Sequence, residues 1–160
     1  MALIRRNPYM SEKANLIHHL NSVFYGPAWH GEALFPTLKS LPFPKISLNN
    51  SEGYSAWGIL LHCAYWKHQV LLKLDPDCGS FDRHPEDFPK IPLERSFESW
   101  LADLDFLEEN HRLLVDAVQE MAEDRFPFTP SGGSFNLVGY ILGAGAHDVY
   151  HTAHLRNLFP

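Results

Sequence analysis

The sequence predicts an all-α domain, a four-helix bundle with one long connection between its second and third helices. Three observations predict it. Four amphipathic helical segments stand out, separated by Pro and Gly punctuation, and the third alternates apolar spacings of three and four. None of the twelve prolines falls inside the second, third or fourth of these segments. No alternating strand pattern of useful length occurs. Amphipathic helices without strands bury their stripes against one another, and bundles build their sites from side chains on facing helices.

The first segment spans residues 11–25. Ser11 can cap it, Leu16, Leu20 and Val23 sit at helical spacing, and Gly26-Pro27 stops it. Residues 31–39 form a candidate short helix that contains Pro36, and Pro42 and Pro44 then mark a loop. The second segment spans 55–74, with Ser55 at its N-cap and Asp75-Pro76 at its end. The connection after it holds Pro76, Pro85, Pro89 and Pro92, and a link this long can run the length of a bundle. The third segment, 96–123, has the clearest pattern. Phe97, Trp100, Leu104, Leu107, His111, Leu114, Val118 and Met121 make a heptad-like seam. The fourth segment spans 134–159, after the turn residues Pro130-Ser131-Gly132-Gly133. The chain, residues 1–160, suits one domain, and that size buries a real core without staples.

Composition narrows the function classes. The apolar fraction of 45% and aromatic fraction of 13% belong to a globular chain. A net charge of −6 opposes a sequence-independent nucleic-acid binder, which needs a basic face, and leaves a small-molecule site open. Two cysteines, Cys63 and Cys78, make no disulfide framework and no CxxC, so free thiols in a reducing compartment are expected. The first nine residues hold two arginines but no apolar segment of the kind a secretory signal needs. No apolar run reaches membrane-spanning length. The expected compartment is the cytoplasm.

The unusual number is ten histidines, with no six-histidine run. His147 and His151 are four apart, so one helix turn places both rings on one face, within reach of one ion. The segment His147-Asp148-Val149-Tyr150-His151 differs from the zinc-protease HExxH, because Asp replaces the catalytic Glu. A third ligand must come from upstream. His62 is the best candidate, since it sits in the apolar stretch Trp57-Gly58-Ile59-Leu60-Leu61, where an unpartnered ring is costly. His68 lies about 120° around the same helix and, with Lys67, is expected on a more exposed face. His154 is a candidate for an extra or outer ligand, and His30 for the mouth of the site. His18, His19 and His84 are expected in solvent, and His111 as a hydrogen-bonded core residue. Gly139 and Gly143 continue the His147–His151 stripe, which predicts close helix approach or open space there.

Several stretches together resemble one family. They are Tyr25-Gly26-Pro27-Ala28-Trp29-His30-Gly31; Tyr54-Ser55-Ala56-Trp57 with Leu60-Leu61-His62 and Ala64-Tyr65-Trp66; Asp87-Phe88-Pro89; and the run from Gly143 to His151. In these the chain resembles the DinB-like (damage-inducible, YfiT-like) four-helix-bundle metalloproteins, over nearly its whole length. The resemblance implies three metal ligands, His62, His147 and His151, with nickel or zinc as the ion, and a homodimer. His30, His154 and Trp66 are then candidates to surround the ion or line its pocket. At one point the chain departs from the family: Ala153-His154 stands where Gly-Gln is common.

Three protein ligands leave the ion open positions, the pattern of catalytic sites. The reacting group would be a metal-bound water or thiolate, with no catalytic side chain assigned. The resemblance implies a metal-dependent transferase using a low-molecular-weight thiol, or a hydrolase, acting on a small-molecule substrate. The alternative is a metal-binding stress-response protein without turnover.

Overall fold

Serine and asparagine hydroxyls and amides start the helices that the sequence marks out. In the computed structural model, which describes residues 11–50 and 52–158, Ser11 accepts from the Ala14 amide, Ser55 from Gly58 and Ser96 from Ser99. The helices are α1 (Glu12–Tyr25), α2 (Leu34–Ser40), α3 (Ala56–Leu74), α4 (Phe97–Glu120) and α5 (Leu137–Leu158). Short 3-10 turns at Phe43–Lys45 and Glu123–Arg125 follow α2 and α4. No strand occurs among the described residues, and the fold is all-α. The first nine residues and Phe159 lie outside the described residues.

Some boundaries differ from the sequence reading. The short helix begins at Leu34, not Gly31, and takes Pro36 in its first turn, where a missing N–H costs no internal hydrogen bond. The fourth long helix begins at Leu137 rather than Ser134, because Asn136 Oδ1 caps the Gly139 amide. The third ends at Glu120, three residues early, and the chain turns into the 3-10 segment.

α3 packs against α4 and α5, and α1 packs against the same two, while α2 closes over α1 and α5. The apolar core has two parts. Phe24, Leu34, Trp57, Leu60, Trp100, Leu104 and Leu155 belong to one. Leu16, Leu20, Val70, Leu74, Leu114, Val118, Leu137 and Ile141 belong to the other. Each long helix crosses from one part to the other, and at the crossing its residues turn polar. Asn21 lies there on α1, Lys67 and His68 on α3, Asn110 and His111 on α4, and Asp148, His151 and Thr152 on α5. Burying so many polar groups is costly unless they meet partners, so this layer is where function is sought.

The seam of α4 is buried from Trp100 to Met121, while Phe97 at its start stays half-exposed against Phe43. Two buried polar residues of α4 escaped the apolar pattern. Asp103 accepts from Trp57 Nε1 at 2.7 Å and pairs with Arg83 at 3.0 Å, which ties the 75–96 connection to the helices. Asn110 donates to the Phe106 carbonyl. No described helix is long and apolar enough to cross a membrane.

Candidate metal centre

α3 is apolar on most of its surface, so most of its side chains are buried, and His62 goes in with them at 6% exposure. α5 brings the other two rings. His151 is 4% exposed and His147, one turn earlier, is half-buried. The three rings converge through one kind of atom. His62 Nε2 lies 3.0 Å from His147 Nε2, and His151 Nε2 lies 3.1 Å from the same atom. Bonds of about 2.0–2.1 Å to one ion place two nitrogens about 2.9 Å apart at a right angle and about 3.4 Å apart at the tetrahedral angle. Both spacings to His147 fall between those limits, and the three donor atoms lie within 4.8 Å of one another, so the group could hold a single divalent ion.

The ring tautomers agree with that use. His62 Nδ1–H donates to the Asp87 carbonyl at 2.5 Å, which leaves the Nε2 lone pair free to face the ion. Asp87 is held in turn: its Oδ1 accepts from Trp66 Nε1 at 2.6 Å and lies 3.2 Å from His62 Nδ1. Phe88 stacks on the His62 ring with centroids 4.0 Å apart, and Tyr54 packs behind Phe88 at 4.8 Å. The Asp87-Phe88-Pro89 turn of the long connection is therefore the clamp that fixes the His62 ring. The orienting role of Asp87 was not foreseen from the sequence, because backbone acceptors leave no residue signature.

Burial keeps the three rings neutral. Desolvation, then the neighbouring His62 and Lys67, pushes His147 down to about 4. Desolvation, then His147, His62 and His154, pushes His151 down to about 3. Desolvation also lowers His62, against a smaller opposing effect of Asp87. Neutral imidazole is the ligating form, so near pH 7 all three lone pairs are available.

A buried ion pair fixes the register of the two helices that carry the three histidines. Lys67 Nζ meets Asp148 Oδ2 at 2.5 Å, and both residues are 1% exposed. Asp148 adjoins His147 in sequence, and Lys67 lies five residues beyond His62. This corrects the expectation that Lys67 and His68 face solvent. Lys67 is covered by Asp148 and by the Phe24 ring, 4.7 Å from its ammonium. His68 is covered by Phe81 of the long connection. A view of α3 as one-sided failed because the connection and α5 close over its second face. His19 is likewise not fully solvated: it packs over α5 where Gly145 leaves room, and a Cβ at Gly145 would fall onto its ring.

The remaining candidates lie outside the converging set. His154 is half-buried at the rim, its ring 6.0 Å from that of His151 and its Nε2 3.8 Å from Glu52 Oε2. Trp66 stands at the edge, 6.3 Å from the His147 ring and partly exposed. His30 is exposed in the 26–33 turn and is not among the residues that line the cleft over the rings. That cleft, about 350 Å³, is walled by Glu52, Tyr54, Phe88, Tyr150 and His154 and opens onto all three imidazoles. His111 is a core residue: it shares a hydrogen bond with Asn21 at 3.0 Å and stacks on Phe24 at 3.8 Å. Cys63 is buried and Cys78 half-buried, and both are free. No family model, curated protein or solved structure matches this chain.

Proposed function

We propose that the protein is a divalent-metal-dependent enzyme acting on a small molecule, of the thiol S-transferase or hydrolase type, with the DinB-like four-helix bundle as its scaffold. One observation carries the reading: three imidazoles, two buried and one half-buried, bring their Nε2 atoms together and open onto a cleft rather than onto a fourth protein ligand. Structural zinc sites close their coordination with protein, and catalytic ones keep a position open. Nickel or zinc suits a set made only of imidazoles.

When bound, such an ion supplies Lewis acidity, which lowers the pKa of a thiol or water that reaches it. The chain's own residues do the rest. Asp87 holds His62 in one tautomer and one orientation. Lys67 and Asp148 hold α3 and α5 in register. Tyr54 and Phe88 keep water from the His62 side. His154, beside Glu52, stands at the rim of the cleft over the rings. A cytoplasmic location accords with the two free cysteines.

The test is turnover by untagged protein loaded with nickel or zinc. It is offered low-molecular-weight thiols with activated electrophiles, and separately a panel of esters and amides. The reading expects activity on one panel and loss of at least about 100-fold in a folded His151→Ala variant. Full metal loading with no turnover on either panel would contradict the enzyme reading and favour a metal-binding stress-response role.

A further inference from the structure

A second cavity, about 570 Å³, runs between α3 and α5 and touches the imidazole cluster through His147. Its volume falls in the range of small-molecule pockets. On α3 its wall is made by Trp66, Val70 and Lys73, three successive turns of one face. On the other side the wall starts at Phe135, just before α5, and passes Gly143 on α5 before it reaches His147. Gly143 leaves the groove open: a Cβ there would meet nothing within 4 Å. No lining residue is acidic. Of the two lysines on the wall, Lys67 is neutralised by Asp148. Lys73, seven residues beyond Trp66, has no partner among the described residues. Seven residues of helix span about 10.5 Å.

We infer that this groove, which shares His147 with the cleft over the rings, binds the body of the ligand that reacts at the metal centre. The ligand is an elongated apolar molecule with a metal-seeking head at His147 and a carboxylate or similar anion at Lys73. The inference rests on the proposed metal-dependent reading for its head group and on the groove itself for its body and tail. Apolar burial along Val70 and Phe135 supplies affinity, and the Lys73 charge selects the anion and sets its direction.

The probe is mercaptooctanoate, whose thiol and carboxylate are separated by about the span of the groove. Its binding to cobalt-substituted protein is followed by thiolate-to-cobalt absorption and by calorimetry. Mercaptooctanoate is expected to bind at least about tenfold more tightly than mercaptopropionate, which lacks the apolar body, or mercaptooctanol, which lacks the anion. Gly143→Leu fills the groove on a helix that accepts leucine well. It is expected to remove that advantage while cobalt content stays unchanged. Lys73→Ala is expected to bring mercaptooctanoate down to the level of mercaptooctanol. Equal affinity for the three thiols, or no effect of Gly143→Leu, would overturn the inference. Failure of the metal reading is separable, because it appears as absent cobalt. In that case the metal-free protein is titrated with anilinonaphthalene sulfonate, an apolar anion. Binding that Gly143→Leu and Lys73→Ala both weaken upholds the groove, and binding insensitive to both overturns it.

Discussion

Two buried polar clusters share the middle layer of the helices. In one, Lys67 and Asp148 meet across α3 and α5, and His111 beside them shares a hydrogen bond with Asn21 and stacks on Phe24. In the other, His62, His147 and His151 point the same kind of nitrogen at one another. The first cluster cancels its own charge. The second gathers three lone pairs that repel unless a cation, or at most a shared proton, stands among them. Both are histidine-bearing and buried, yet their chemistry differs. A structural histidine finds its partner within the protein, whereas the converging three leave the partner to be supplied.

The largest effect expected from breaking that contrast lies in the self-contained cluster. Lys67→Met leaves Asp148 buried and unpaired, and is expected to cost about 3–5 kcal/mol in denaturant unfolding. Adding Asp148→Leu removes the orphaned charge and should recover part of the loss. If the double variant is as unstable as the single, the pair is not what holds that seam. In the convergent cluster the corresponding loss appears in metal affinity instead. His151→Ala is expected to weaken nickel or zinc binding by more than about 100-fold, beyond what loss of an outer partner costs. Competition with a chromophoric chelator measures it, and an unchanged affinity would remove His151 from the ligand set.

Acid probes the self-contained cluster through His111. Burial, then the Lys67 charge, pushes His111 down to about 2. Its unfolded value is near 6.5, so below that pH the unfolded chain binds a proton that the folded chain refuses. Stability from this group is complete above about pH 6.5. It falls by about 1.4 kcal/mol per pH unit as the solution is acidified toward the folded value. His111→Gln should flatten the acid limb by about one proton, measured as unfolding free energy between pH 6 and pH 4. A slope equal to wild type would mean that His111 is not held neutral. The smallest effect belongs to the clamp. Asp87→Ala keeps the backbone carbonyl that His62 uses but removes the acceptor for Trp66. It is expected to lower metal affinity by about tenfold.

Much of this was legible in the sequence because it obeys a period or a cap. Ser11, Ser55 and Ser96 start helices where their side chains allow, and the seam of α4 lies where the spacing puts it. The His147–His151 pair was legible for the same reason, and His62 because an apolar run makes a lone polar ring conspicuous. The clamp was not legible, because the Asp87 carbonyl acts through the backbone and is placed by a connection with no period. Lys67 and Asp148 were not legible either. A charged residue is ordinarily exposed, and only its partner on another helix reveals otherwise. Gly145 shows the same limit: its role is visible only once His19 lies across it.

Metal content tests the central claim most directly. Protein purified without a metal-affinity step is analysed for elements beside a folded His62→Ala variant. The account predicts about one nickel or zinc per chain in the wild type and its loss in the variant. A wild-type chain that takes up neither ion, even after incubation with both, would contradict it.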